Sequence, residues 1–164
     1  MAVLYSFAPE NCPPAAATNF ARFQNPMVGG AYRSCLAFDS VVSQKCRSIA
    51  FRMPIFTGAL TLKVRFEIAA ITGNVQFRAA VEANKSNANR NLSTTSYFST
   101  TNSSGSVSVP ATTFNPKDFT ITLTNNDTAA AGDEVTITLD RDVTVGTNAT
   151  GDCYITSFSL EDAS

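Results

Sequence analysis

GALTLKVRFEIAAITGNVQFRAAVEA, residues 58–83, is the stretch that decides the fold. Apolar residues alternate with charged and polar ones in its first half, and the second half repeats the pattern. A period of two places one face on a core and the other in solvent, as in a half-buried β-strand. Gly73 tolerates the positive φ of a tight turn, so the stretch predicts a hairpin that needs a second sheet to cover its apolar face. The inward residues are Leu60, Leu62, Val64, Phe66 and Ile68 in the first strand, and Val75, Phe77, Ala79 and Val81 in the second.

The composition favours one all-β domain of 164 residues. Charged residues make up 15% of the chain, against about 25% in an average domain. The net charge of −1 argues against nucleic acid or an anionic membrane as a partner. The opening MAVLYSFAPE has neither a basic start nor a long apolar run, so we expect no signal peptide and synthesis in a cytoplasm.

Further short segments of the chain also alternate apolar and polar residues with a period of two. They are separated by turn residues, and eight or nine such strands predict a two-sheet antiparallel jelly-roll sandwich over residues 31–164. The period slips within residues 153–160, which predicts a bulge or twist. Residues 92–100 fit either a strand or an irregular crossing segment. The other predicted strands cover residues 3–7, 35–39, 48–53, 106–109, 119–123 and 134–141.

Residues 1–30 differ from the rest and are predicted to form an extended N-terminal arm. Prolines and alanines interrupt regular structure after a first short strand. Phe7, Phe20 and Phe23 are the candidate docking residues of this arm. Two interpretations stay open: the arm folds back onto its own domain, or it reaches a neighbouring subunit.

The four cysteines, Cys12, Cys35, Cys46 and Cys153, form no CxxC pair. A zinc site would need all four of them although they are widely scattered. We expect buried, reduced thiols that act as small hydrophobic groups. A bridge between Cys35 and Cys46, across a short hairpin, is the first disulfide to test.

Two blocks resemble a jelly-roll domain of structural proteins from tailed bacteriophages. Residues 58–83 resemble its hairpin with the GNV turn, and residues 131–161 resemble its closing strands with RD and GD motifs. Phe38-Asp39 stands where that domain has an early FD strand, so the similarity covers roughly residues 36–162. Phe66 and Phe77 replace the usual tryptophans, and Asn148 lies near an acidic position of the closing loop. The resemblance implies a virion protein of the decoration or fibre type, trimer-forming and without catalytic residues.

The residues themselves give little support to catalysis. The chain has no histidine, so neither a Ser-His-Asp nor a Cys-His arrangement can be built. We therefore predict no enzyme activity, no catalytic residue, no metal and no cofactor. The acidic residues are expected to cap turns and to pair with Arg141, and calcium binding is the alternative. These residues are Asp133, Glu134, Asp140, Asp142 and Asp152.

Two polar loops carry the remaining candidate site. Residues 84–105 and 124–131 are rich in Ser, Thr and Asn, and the first contains Tyr97 and Phe98. Hydroxyl and amide groups beside aromatic rings can bind a sugar. The alternative is a solvated loop without a ligand.

These observations lead to three functional hypotheses. The first is a capsid decoration (cement) protein, made in the host cytoplasm and located on the capsid surface of the virion. As a homotrimer it would clamp the major capsid protein. The second is the receptor- or carbohydrate-binding head domain of a phage tail fibre. The third is a minor jelly-roll protein that itself tiles the shell.

Overall fold

The chain forms β-strands wherever its apolar residues alternate. The structure is a computed structural model that describes residues 1–15, 18–24, 33–85, 90–91 and 95–164. This part of the chain contains one 3-10 turn, Pro9–Asn11, and no helix that could cross a membrane. Its thirteen strands are β1 (Ala2–Phe7), β2 (Arg22–Gln24), β3 (Cys35–Phe38), β4 (Lys45–Arg47), β5 (Phe51–Arg52), β6 (Leu60–Ile68), β7 (Asn74–Val75), β8 (Phe77–Asn84), β9 (Asn102–Ser103), β10 (Val107–Ser108), β11 (Lys117–Thr122), β12 (Glu134–Arg141) and β13 (Cys153–Asp162).

The strands form two antiparallel sheets that face each other. The first sheet has the order β11-β6-β13-β3-β2, and β1 pairs with the second half of β13. The second sheet has the order β4-β12-β8-β9, and β5 also pairs with β12. A short ribbon of β10 and β7 lies beside them. The predicted antiparallel jelly-roll sandwich is confirmed.

The stretch that decides the fold spans both sheets, which corrects the predicted hairpin. β6 belongs to the first sheet and β8 to the second, so the two strands are not hydrogen-bonded to each other. The turn between them does contain Gly73, with a φ of +94°. The predicted inward residues of both strands are buried. Their apolar faces therefore cover each other across the core, which satisfies the same alternation without a hairpin.

Aromatic rings fill the space between the sheets. Phe77 of β8 stacks on Phe119 of β11 with ring centroids 5.3 Å apart. Phe66 and Phe38 contact this pair edge-on at 5.8 and 5.4 Å. Offset and edge-to-face contacts of this kind stabilise aromatic cores beyond the area that they bury. Phe66 and Phe77 therefore pack in the core between the two sheets.

The described part of the N-terminal segment folds back onto the sandwich. β1 pairs along β13, and β2 pairs with β3. Phe7 is only 4% exposed, and its ring stacks on Phe158 at 4.6 Å. Of the two interpretations of residues 1–30, the structure shows folding back for residues 1–15 and 18–24. Residues 25–30 lie outside the described residues.

The structure confirms the irregularity predicted in β13 but changes the bounds of other predicted strands. The register of β13 against β6 shifts between Ile155 and Ser157, so the predicted bulge is confirmed. Of the strand predicted at 48–53, only β5 forms; β4 lies just before this range, and both strands pair with β12. In the segment predicted as either a strand or a crossing, residues 95–100 are irregular, and 92–94 lie outside the described part.

All four cysteines are free and buried, as expected. The Cys35–Cys46 bridge, the first disulfide to test, is absent because the two residues lie in different clusters. Cys35 packs with Ala37 and Tyr154, whereas Cys46 belongs to the main core. Burial raises the pKa of the Cys35 thiol to about 11 and that of Cys153 to about 12.

Arg141, at the end of β12, is fully buried and binds main-chain carbonyls. Its Nη1 donates to the carbonyl oxygens of Phe38 and Gly151 at 3.0 and 2.9 Å. Its Nη2 donates to the Ala149 carbonyl at 2.8 Å and to Oδ1 of Asn148 at 3.1 Å. Burial lowers the pKa of Arg141. The guanidinium thus ties the closing loop to β3, and the predicted ion pair with neighbouring acids is wrong.

Candidate functional site

The outer face of the second sheet carries a cleft of about 260 Å³, which we call the outer cleft. β4, β8 and β12 form its floor, and the irregular segment at 95–101 forms a wall. Ala15 of the N-terminal segment contributes at the rim. The residues that line it are Ala15, Lys45, Arg78, Ala80, Ser96, Phe98, Ser99, Thr101, Thr138 and Asp140.

Strand alternation explains which side chains reach this face. In β12, Ile137 and Leu139 point into the core, so Thr138 and Asp140 point outward. In β8, Ala79 faces inward, so Arg78 and Ala80 face outward. The outer cleft is therefore the polar side of the same strands that build the core.

A row of three charged residues crosses the floor. The register sets Asp140 of β12 opposite Arg78 of β8 on one side and opposite Lys45 of β4 on the other. Arg78 donates to Oδ2 of Asp140 from Nη2 at 2.6 Å and from Nε at 3.1 Å. Burial raises the pKa of Asp140, and the bonds from Arg78 work against that shift. The pair gives the cleft a fixed polar floor.

The wall is held against the edge of β8 by hydrogen bonds. The Ser99 amide donates to the Val81 carbonyl at 2.8 Å, and the Ser99 hydroxyl accepts from the Val81 amide at 3.1 Å. The Tyr97 amide donates to Oε1 of Glu82 at 3.0 Å. These contacts on both sides of Phe98 fix its backbone, and its half-buried ring lines the cleft.

Of the two predicted sugar-contact residues, the structure places only Phe98 in the outer cleft. Tyr97 lies beside it in a separate cluster. The guanidinium of Arg90 stacks over the Tyr97 ring at 4.9 Å, and the Tyr97 hydroxyl accepts from the Asn91 amide at 3.2 Å. Arg90 also binds Asp127 at 2.7 Å. Tyr97 therefore holds the loop together and is not among the residues that line the cleft.

The three predicted docking phenylalanines occupy different elements. Phe7 lies in the core, which corrects its assignment as a docking residue, because a buried ring offers no face to a partner. Phe20 is half-buried and forms an isolated bridge with Lys45 beside the second sheet. Phe23 is 47% exposed on β2, at the edge of the first sheet.

The acidic residues act locally in turns and ion pairs. Asp133 accepts the Ala130 amide at 2.8 Å. Asp142 accepts both the amide and the hydroxyl of Thr144, which lowers its pKa. The turn capping is as predicted, but the ion partner of Asp140 and Asp142 is Arg78, at 2.6 and 3.5 Å. Within the described ranges, no three His, Cys, Asp or Glu residues converge as metal ligands.

The sequence interpretation missed Lys45 and Arg78 as site residues. Arg78 was identifiable as an outward residue of an alternating strand. Its position beside Lys45 depends on β12 pairing with β8 and β4, which are far apart in sequence. The alternation predicts that Arg78 lies on the outer face, but not which residues are its neighbours there.

No family model and no curated protein matches the chain. It is similar in structure to the K1 and K3 cleaved adhesin domains of Lys-gingipain from Porphyromonas gingivalis W83, with TM-scores of 0.50 and identities of 12% and 13%. The K1 alignment covers 98% of both chains; the K3 alignment covers 99% of this chain and 100% of the adhesin domain. A family 6 carbohydrate-binding module from Clostridium cellulolyticum, in complex with xylose, is similar at a TM-score of 0.48 and 12% identity, over 99% and 100% of the two chains. At these identities the likeness concerns the fold.

Proposed function

We propose that this domain binds carbohydrate in the outer cleft. The observation that carries the proposal is the position of Phe98, whose ring lines a concave surface together with hydroxyl and charged groups. This is the part of the second sequence hypothesis that the geometry supports best. The head of a phage tail fibre remains a proposed setting for such a module.

The chemistry of the cleft suits a sugar. A sugar ring presents C–H groups on its faces, which pack on an aromatic ring, and hydroxyl groups around its edge. Ser96 and Thr101 line the cleft, and their hydroxyls make no hydrogen bond within the described part of the chain. A hydroxyl both donates and accepts, so it can match a sugar hydroxyl in either direction.

The size of the cleft limits the ligand. Its volume of about 260 Å³ lies just below the roughly 300–1,000 Å³ typical of pockets for drug-sized ligands. The cleft therefore accommodates one or two sugar residues of a chain, and the remainder would extend into solvent. Such contacts give weak binding, so the binding assay needs ligand concentrations up to the millimolar range.

A pair of matched substitutions tests the proposal. A glycan array would identify a ligand, and calorimetric titration would measure its affinity for the wild type, Phe98→Ala and Phe23→Ala. We expect Phe98→Ala to weaken binding about tenfold or more, since it removes the stacking ring. Phe23→Ala removes an exposed ring from the other sheet and should leave the affinity unchanged.

Two outcomes would contradict the proposal. One is the absence of saturable binding to any glycan. The other is equal affinity of Phe98→Ala and the wild type, because the ligand would then lie elsewhere. Circular dichroism of both variants verifies that each is folded.

We also propose capsid decoration as a second candidate, because Phe23 is half-exposed on an edge strand. An exposed ring there is suited to hydrophobic contact with a major capsid protein, in a homotrimer on the virion surface. Cosedimentation with empty phage heads tests it, and Phe23→Ala should reduce the bound fraction while Phe98→Ala should not. Light scattering that gives the mass of a monomer would count against the trimer.

A further inference from the structure

The N-terminal segment runs directly beside β4 of the second sheet. The Arg47 amide donates to the Pro13 carbonyl at 3.2 Å, and Pro14 forms an isolated antiparallel bridge with Cys46. Residues 18–20 also run beside this strand, where the Lys45 amide donates to the Asn19 carbonyl at 3.2 Å. Cys12 and Cys46, which are 34 positions apart in sequence, are thereby brought together.

Both thiols are buried in the same core, and Cys12 lies two residues before the bridge between Pro14 and Cys46. Cys12 is 6% exposed and Cys46 is 1% exposed, and both belong to the main core. The Cys12 thiol donates to the Ala8 carbonyl at 3.4 Å. The neighbouring Cys12 side chain and burial both raise the pKa of Cys46.

The other two cysteines have different surroundings. Cys35 packs in the small cluster with Ala37 and Tyr154, and Glu67 is the charged group that acts on it. Cys153 lies in the main core, where Arg141 and Asp152 are the groups that act on its thiol. No other described cysteine is among the groups that act on either of these two thiols.

We propose that Cys12 and Cys46 form a disulfide site that closes when a low-molecular-weight disulfide, such as oxidised glutathione, is the oxidant. One thiolate attacks glutathione disulfide and releases one glutathione. The second thiolate attacks the resulting mixed disulfide and releases another. The protein loses two protons and two electrons and gains one S–S bond, and the oxidant becomes two molecules of reduced glutathione.

The exchange takes place before the segment is packed, or when it opens locally. The thiolate is the attacking species, and the core suppresses its formation by raising the pKa of Cys46. Refolding from the reduced, unfolded chain exposes both thiols to the oxidant, and the native contacts then select this pairing. The bridge would fasten the segment that brings Ala15 to the rim of the outer cleft.

Refolding the full chain in a glutathione redox buffer tests the site. After alkylation under denaturing conditions, peptide mass spectrometry without reduction should show a peptide pair joined through Cys12 and Cys46. Cys35 and Cys153 should be alkylated. Because the bridge closes a loop of about 34 residues, the melting temperature should rise by about 5–10 °C over the reduced protein.

Matched serine variants distinguish a specific Cys12–Cys46 disulfide from random pairing of the four cysteines. Cys35→Ser should keep the joined peptides and the rise in melting temperature, whereas Cys12→Ser should lose both. Cys46→Ser provides the same comparison from the other side of the bridge. Alkylation of all four cysteines, glutathionylation without a bridge, or a bridge through Cys35 or Cys153 would overturn the proposal.

Discussion

Replacing Arg141 by methionine tests whether one buried cation holds the closing loop. The variant keeps much of the apolar stem but leaves three main-chain carbonyls and the Asn148 side-chain oxygen without their donor. A hydrogen bond to a charged group contributes about 1.5–3 kcal/mol, and the cost of dehydrating the guanidinium offsets part of the sum. Each buried acceptor left without its donor costs about 1–3 kcal/mol, so we expect a net loss of about 3–5 kcal/mol for the four acceptors. That is a large share of the roughly 5–15 kcal/mol that stabilises a typical domain.

Arg65→Met is the matched control for this substitution. The Arg65 guanidinium is likewise hydrogen-bonded, with two bonds to Asp118 at 2.7 and 2.9 Å, but its side chain is 52% exposed. Water replaces those bonds when the side chain is lost, so the cost should stay below about 1 kcal/mol.

Urea unfolding followed by circular dichroism measures both variants. Arg141→Met should lower the urea midpoint far more than Arg65→Met, and its melting temperature should fall by roughly 6–20 °C. Equal losses in the two variants would refute the reasoning, because burial would then add nothing to the value of the hydrogen bonds. A stable Arg141→Met protein would show that the loop does not depend on this residue.

Three further substitutions address the turn, the N-terminal strand and the response to acid. Gly73→Ala should lower the free energy of unfolding by about 1–3 kcal/mol in thermal unfolding. The reason is that φ is +94° and that a Cβ there would lie 3.0 Å from the Ala149 Cα. Gly146→Ala is the control and should cost little, because the space around its Cβ position is open. Phe7→Ala should cost about 3–5 kcal/mol, since its ring stacks in the core, whereas an unaltered midpoint would mean that β1 is detached in solution. The bond from Arg90 lowers the pKa of Asp127 in the folded state, so its contribution is present above the unfolded value of about 3.9 and is lost as the pH falls through the lower folded value. Asp127→Asn should therefore destabilise the protein at pH 7, with a difference from the wild type that shrinks below about pH 4; a difference independent of pH would contradict this account.

The polar face of the second sheet illustrates what could be predicted about the site. Alternation in β8 and β12 identifies Arg78 and Asp140 as outward residues from the sequence. Phe98 and Tyr97 are adjacent in sequence and equally suited to a sugar, yet only Phe98 lines the cleft. What separates them is the anchoring of residues 97 and 99 to β8, together with the Arg90 contact of Tyr97. These contacts join residues that are 7 to 18 positions apart, and no local pattern specifies them.

The N-terminal segment shows a similar limit. Its prolines and its candidate docking residues Phe7, Phe20 and Phe23 indicate a segment that packs on something, but not what it packs on. The pairing of β1 with β13 settles this for Phe7, which completes the core of its own domain.

The sequence by itself determined the all-β class, the inward face of each long strand, the turn at Gly73 and the bulge in β13. These follow from local properties, namely a side-chain period of two and the φ angles that each residue allows. Only the tertiary structure decided that β6 and β8 belong to opposite sheets, that Arg141 binds carbonyls, and that the segment after Cys12 runs beside Cys46. The alternation of a strand requires only that its apolar face be buried, and it does not specify which strand pairs beside it or lies across the core. The packing of the whole chain decides both.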